Sequence, residues 1–183
     1  MLRKRKRAKA GSSERFCRIL KQTSPKPKPS DSQEAAFPRA LRWLGYRPRS
    51  EAELRNFLVR RGYPPTVIEK TLAKLRSLNY LSDEAFARNW ARSRVETGRY
   101  GPKRVEQELR AKGISQVLIR KVMGEAFAQI NESATAKTLL QKRFKTNQLD
   151  DPKLLRRAAS FLKRRGFSSD VIFDLLNEPL KDD

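Results

Sequence analysis

Residues 54–72 have the sequence LRNFLVRRGYPPTVIEKTL, and a similar pattern recurs over 105–123 as VEQELRAKGISQVLIRKVM. A weaker third copy, residues 158–176, is AASFLKRRGFSSDVIFDLL. In each copy apolar residues at helical spacing precede a glycine, one apolar residue follows it, and a second apolar stripe comes next. The pattern predicts two helices joined by a turn in which the glycine takes the left-handed backbone conformation.

The three glycines, Gly62, Gly113 and Gly166, are 51 and 53 residues apart. A further helix is predicted before each pair, at roughly 37–45, 83–97 and 132–144. A unit of this length cannot bury its apolar face alone, so neighbouring units should stack. The sequence therefore predicts an all-α protein of three tandem three-helix repeats, an elongated helical solenoid that can curve. A helix-turn-helix is the alternative for one pair of helices, but three copies in one chain favour the solenoid.

Capping signals mark where these helices begin. Ser50 followed by Glu53 matches a capping box, in which each side chain bonds to the other residue's backbone N–H. Further starts are indicated at Pro65, Ser82, Pro102, Ser115 and Asp151-Pro152. No alternating apolar and polar run is bounded by turn signals, so a sheet is not expected.

We predict a disordered, basic, Pro/Lys-rich tail over 1–36 and three helical repeats over 37–81, 82–127 and 128–183. The tail has eleven basic and three acidic residues, and it contains the extended linker SPKPKPSDS. Either the tail is an accessory arm for polyanions or it is dispensable. The basic residues that the first alternative would use are Arg3, Lys4, Arg5, Lys6, Arg7 and Lys9.

The charge of the chain predicts an anionic partner. Lys and Arg number 42 against 20 Asp and Glu, which gives a formal net charge of +22. Binding to nucleic acid would release counterions and depend steeply on salt. No apolar run approaches the roughly 20 residues that span a bilayer, so no membrane association is expected.

The chain lacks the residues that catalysis usually needs. It has no histidine, and Cys17 is its single cysteine, so neither a usual general base nor a zinc site is available. The glycines at 98–104 do not have phosphate-loop spacing. We therefore expect no enzyme activity, cofactor, metal or small-molecule substrate. One cysteine also fits a reducing compartment, the cytoplasm.

The best candidate for a binding surface lies between Arg88 and Lys112. Lys103 and Arg104 fall in a predicted first helical turn, where the helix dipole disfavours cations and a bound anion would offset the cost. The candidate residues are Arg88, Arg92, Arg94, Arg99, Tyr100, Lys103, Arg104, Arg110 and Lys112. The alternative for this cluster is an ordinary solvated basic face.

The positions of the aromatic residues predict different roles for them, either in the core or in binding. Trp43 and Trp90 lie in the first helix of a unit, and a core anchor is favoured for them over the alternative of a base-stacking platform. Tyr100 lies in a loop and is the better candidate for stacking or an interface. Helical periodicity also assigns Phe57, Phe161 and Phe173 to the core.

Four motifs follow one another along the chain: S-x-x-E-L at 50–54, G-Y…I-E at 62–69, L-x-D-x-x-F-A at 81–87, and G-P-x-R-V-x-x-E-L-x-x-K-G-I at 101–114. In this order and spacing they resemble the RecX family of bacterial recombination regulators. The resemblance is close over 41–127 and weaker in the third unit. It implies three tandem three-helix repeats, in agreement with the internal repeat.

The resemblance also implies a function without catalysis. RecX proteins bind RecA and RecA–DNA filaments, in the filament groove or at its end, and inhibit filament extension, ATPase, strand exchange and co-protease activity. These activities belong to DNA repair and control of the SOS response. The family also binds single- or double-stranded DNA, and we expect a monomer. The alternative is a basic architectural protein that binds DNA or RNA without a specific protein target.

Overall fold

The computed structural model of the chain describes residues 33–97, 100–144 and 151–177. Within these ranges all regular secondary structure is helical. The helices are α1 (Gln33–Tyr46), α2 (Glu51–Arg60), α3 (Pro65–Ser77), α4 (Asp83–Glu96), α5 (Pro102–Ala111), α6 (Gln116–Phe127), α7 (Glu132–Arg143), α8 (Pro152–Arg165) and α9 (Ser169–Asn177). This confirms the predicted all-α class.

The helices form three repeats, α1–α3, α4–α6 and α7–α9, and in each the first helix packs on the third. Each repeat has its own buried core. These cores are centred on Leu54, Leu58 and Leu72, on Val105, Leu109 and Ile119, and on Ala158, Leu162 and Leu175. The predicted tandem three-helix repeats are thus confirmed, whereas elongation and curvature stay predictions.

The glycine turns have the predicted left-handed conformation. Gly62, Gly113 and Gly166 have φ angles of 83°, 78° and 87°. The next residue, such as Tyr63 in the first repeat, is buried and donates its N–H to a carbonyl five residues earlier. This is the Schellman motif, in which an apolar residue fixes the direction of the chain after the helix.

The predicted helix starts are also present. Ser50 and Glu53 form both hydrogen bonds of the capping box. Side-chain caps or first-turn prolines occur at Pro65, Ser82, Pro102, Ser115 and Asp151-Pro152. The first repeat begins earlier than predicted. Its helix α1 starts at Gln33, four residues before the predicted boundary at residue 37, and Ala36 is fully buried.

Neighbouring repeats meet where the second helix of one repeat begins against the glycine turn of the next. At the first junction the Ser50 hydroxyl donates to the Lys112 carbonyl at 2.6 Å. At the second, the N–H groups of Gly101 and Lys103 donate to the carbonyls of Arg165 and Gly166 at 2.9 and 3.0 Å. At both junctions the start of a helix donates to carbonyls at the end of another helix, through the N-cap hydroxyl at the first and through backbone N–H groups at the second.

This geometry corrects the expectation that repeats stack through shared apolar faces. In the described residues each buried core cluster stays within one repeat. Close backbone contact takes the place of a common core, and a Cβ atom added to Gly113 would collide with Ala52. A Cβ added to Gly166 would collide with the backbone and Cβ of Arg104.

The aromatic residues that were predicted to pack in the core do so, with one exception. Trp43 stacks on Phe57 with ring centroids 4.3 Å apart, and Trp90 packs against the second core. Phe161 is half-buried in the third repeat. Phe173 was wrongly predicted as core, because 69% of its surface is exposed. Helical periodicity places Phe173 next to the apolar stripe of α9, but no other described element covers that side.

Candidate functional site

The candidate basic cluster is organised around Trp90 and Glu108, which face each other from α4 and α5. The Glu108 carboxylate accepts hydrogen bonds from Trp90 Nε1, Arg94 Nε and Arg104 Nε at 2.9, 2.8 and 3.2 Å. The guanidinium of Arg94 also lies 4.5 Å from the centre of the Trp90 ring. Part of the predicted cluster is therefore bound to an acidic residue of the same repeat.

The protonation of Glu108 reflects these contacts. Burial raises the pKa of a carboxyl group because it disfavours the charged form. At Glu108 the hydrogen bonds from Arg94 and Trp90 outweigh burial, so the pKa is lowered. Glu108 is therefore ionised and supplies a permanent counter-ion for the cluster at neutral pH.

A second carboxylate, Glu53, ties Lys112 to the first repeat. Lys112 Nζ is 2.8 Å from Glu53 Oε1, and Arg47 donates to the same oxygen at 3.0 Å. Burial acts to raise the pKa of Glu53, but bonds from Lys112, Arg47 and the Ser50 N–H lower it to about 2. Lys112 thus holds the two repeats together, and its ammonium lies 5.0 Å from the Trp90 ring centre.

Arg88 and Arg92 lie on the side of α4 that faces α6, away from Glu108. Arg88 pairs with Glu84 at 2.7 Å and with Glu125 at 2.9 Å. Arg92 lies beside this pair in a shallow depression of about 230 Å³. Its guanidinium has no ion-pair partner among the described residues.

The remaining residues of the cluster differ in whether an acidic side chain pairs with them. Arg110 pairs with Glu106 at 2.7 Å on the exposed side of α5. Lys103 is exposed, and its ammonium has no acidic partner in the part of the chain that the structure describes. Arg99 and the tail residues from Arg3 to Lys9 lie outside the described residues.

Tyr100 lies at the junction between the second and third repeats. Its ring is half-buried against the second core, and the guanidinium groups of Arg94 and Arg165 lie 5.1 and 5.3 Å from its centre. Tyr100 therefore contributes to an interface, but this interface is within the chain. Two arginines already occupy positions near its ring.

Sequence reasoning missed two kinds of residue. One is the pair of glutamates that neutralise the cluster, Glu53 and Glu108. The other is a group of arginines in the third repeat, Arg143, Arg156, Arg157 and Arg164. A simple signal was available for the second group, because the sequence of α8 contains no acidic residue.

The described residues offer no site for a metal ion. No group of three or more Cys, Asp or Glu side chains in these ranges has the arrangement to hold one. Nor is any helix in the same ranges both long enough and apolar enough to cross a membrane.

Comparison with known protein families identifies the repeats. Three family models match in chain order: the first three-helix domain of RecX over 36–75, the second over 82–123 and the third over 131–176. The chain belongs to the RecX family. The matched segments are the same three helix triplets that the structure shows, so the internal repeat of this chain is the RecX domain repeat.

Individual RecX proteins resemble the chain over most of its length. Regulatory protein RecX of Syntrophotalea carbinolica is 37% identical over 145 residues, which cover 78% of this chain and 95% of the relative. The RecX protein of Halorhodospira halophila is 36% identical over 141 residues, covering 77% and 86% of the two chains. These names support a regulatory role of the RecX type.

A solved RecX structure has the same fold. The crystal structure of a regulatory protein RecX superimposes with a TM-score of 0.66 at 26% identity. The alignment covers 94% of this chain and 81% of the other. Fold and sequence therefore agree on the family.

Proposed function

We propose that the chain binds RecA and RecA–DNA filaments and inhibits filament extension. RecA-driven ATP hydrolysis, strand exchange and co-protease activity fall as a consequence, in DNA repair and control of the SOS response in the cytoplasm. The observation that carries the proposal is the match of all three RecX domains, in order, between residues 36 and 176.

The mechanism we propose is steric and electrostatic, with no bond made or broken. Arg92 and Lys103 offer charges that are not neutralised by described residues. The pairs of Arg88 and Arg110 are exposed to solvent, and exposed pairs contribute little to stability. Carboxylates of RecA or phosphates of its DNA can therefore replace the internal partners, in the filament groove or at its end.

The test is RecA ATPase on single-stranded DNA, with the full chain titrated in at fixed salt and with DNA in excess. We expect inhibition at well below one molecule per RecA protomer, because one bound molecule blocks the addition of many protomers. Inhibition that begins only when the DNA is saturated would favour the architectural DNA- or RNA-binding alternative, for which the charge of +22 is the supporting observation.

The contribution of the basic cluster is tested in the same assay. Charge reversal at Arg99, Lys103 and Arg104 should raise the concentration for half-inhibition about tenfold, if each loses one partly exposed charge contact. The matched control reverses Arg60, Lys70 and Arg120, which are exposed and lie outside the cluster. Full inhibition by the first variant would exclude the cluster as the RecA-binding surface.

A further inference from the structure

The second helix of the third repeat, α8, has no glutamate or aspartate to pair with its basic residues, whereas the second helix of each other repeat has at least one. Glu53 in α2 and Glu108 in α5 each accept several cationic groups. When the repeats are aligned on their glycines, Arg157 has the position of Glu53 and Phe161 has the position of Glu108. The sequence of α8, PKLLRRAASFLKRR, has six basic residues and no acidic one.

The basic residues of α8 contribute to an open pocket with a volume of about 800 Å³. Four arginines line it: Arg143, Arg156, Arg157 and Arg164. All four are exposed, and the described residues that line the pocket include no carboxylate. None of the four guanidinium groups has an ion pair or hydrogen bond within the described ranges. Like charges around one pocket repel one another, so an anion bound there would be stabilised by the arginines that line it.

Two aromatic rings complete the pocket. Phe144 and Phe161 are half-buried there and contact each other edge to face, with centroids 5.9 Å apart. Guanidinium groups bind phosphate oxygens in pairs of hydrogen bonds, and an aromatic ring offers a surface on which a nucleobase stacks. The guanidinium of Arg165 already lies 5.3 Å from the centre of the Phe161 ring. A carboxylate-rich peptide would use the arginines but make no use of the aromatic surface that lines the pocket.

We propose that this arginine pocket binds the phosphodiester backbone of a single-stranded nucleic acid, with a base packed against Phe161. The strand supplies the negative charge that Glu53 and Glu108 supply in the other repeats. The middle cluster is largely neutralised from within, whereas the third repeat is neutralised by its ligand. This inference deepens the proposed function and rests on it for the setting, because it assigns the DNA strand to the third repeat.

The test uses the full chain and a fluorescent single-stranded oligothymidine, without RecA. Anisotropy titrations at several salt concentrations compare wild type with the variant Arg157→Glu/Arg164→Glu. We expect the variant to bind about tenfold or more weakly, and the slope of log affinity against log salt to become shallower by about 1.4, as for two lost phosphate contacts. Since RecA is absent, this result does not depend on whether RecA is regulated.

The matched control is Arg60→Glu/Arg120→Glu, which changes the net charge by the same amount. Arg60 has the position of Arg164 in the first repeat, and both control residues are exposed and unpaired within the described ranges. Equal losses in the two variants would show a general charge effect and overturn the proposal.

A second variant guards against a folding defect. Arg157→Gln/Arg164→Gln removes two charges without introducing any, and circular dichroism checks that its helix content is unchanged. We expect a smaller loss of affinity in the same direction, and wild-type affinity would refute the pocket. Displacement of the oligonucleotide by polyglutamate as readily as by unlabelled oligothymidine, at equal charge, would assign the pocket to an acidic protein instead.

Discussion

Glu53 is the residue at which the first two repeats are joined by charge. Its carboxylate accepts Arg47 from its own repeat and Lys112 from the next. We expect Glu53→Gln to lower the free energy of unfolding by about 1–2 kcal/mol at neutral pH, because Lys112 is then left half-buried without its partner. Urea unfolding of both proteins measures this difference.

The same residue predicts a dependence on pH. The pKa of Glu53 is lowered in the folded chain, from 4.5 to about 2. A lowered folded-state pKa gives stability that is complete above the unfolded-state pKa and lost as the pH falls towards the folded one. The stability difference between wild type and Glu53→Gln should thus be constant above about pH 5 and shrink between about pH 4.5 and 2. A difference that stays the same at pH 3 would contradict this role.

At the scale of residues, the sequence identified the basic cluster but not its internal neutralisation. Arg88 and Glu125 are 37 residues apart, and Lys112 and Glu53 are 59 apart. Such pairs depend on how helices from different parts of the chain pack, which helical spacing does not specify. Phe173 was misplaced for the same reason, since periodicity gives the face of a helix but not what covers it.

Among the structural elements, the three glycine turns differ in whether a neighbouring repeat packs closely against them. Gly113 and Gly166 combine a positive φ with close contact to the preceding repeat, whereas a Cβ on Gly62 would meet no atom of the described residues within 4 Å. We expect Gly62→Ala to cost about 1 kcal/mol from backbone strain alone. Gly113→Ala should cost roughly 2–4 kcal/mol, since it also displaces Ala52 at the junction. Thermal unfolding of the two variants provides the comparison.

Similar losses of stability in the two variants would mean that the junction accommodates the added methyl group at no cost in free energy. The contrast is informative because both substitutions add the same methyl group at equivalent positions of a Schellman turn. Only the presence of a neighbouring repeat differs between them.

Elements were predicted well where their signals are local. The Ser50–Glu53 capping box, Pro102 at a helix start and the turn at Gly113 all depend on residues a few positions apart. The junctions were not predicted, because the Ser50 hydroxyl and the Lys112 carbonyl are 62 residues apart. Nothing in either stretch alone indicates that one helix start binds the next glycine turn.

At the scale of the whole molecule, charge is distributed unevenly. Residues 1–32 have eleven basic and two acidic residues, so a chain beginning at Gln33 would have a net charge of +13 instead of +22. We expect this shorter chain to keep its melting temperature, since all three described cores lie beyond residue 32. Its affinity for single-stranded DNA should be lower and less sensitive to salt, with RecA inhibition retained.

Anisotropy titrations and the RecA ATPase assay, run side by side on the two chains, measure these effects. Loss of inhibition together with DNA affinity would make the tail essential to regulation. Unchanged DNA affinity together with unchanged inhibition would make the tail dispensable for both.

The two junctions are built from the same parts, a helix start and a glycine turn, and this has a consequence for how such proteins change length in evolution. In the first repeat, a Cβ added to Gly62 would meet no described atom of another element within 4 Å, and in the third the helix start at Asp151-Pro152 meets no further turn in the described chain. A duplicated repeat could join either end with the contacts already in use. Gene duplication alone would lengthen the array, and the number of repeats could follow the length of whatever the protein binds.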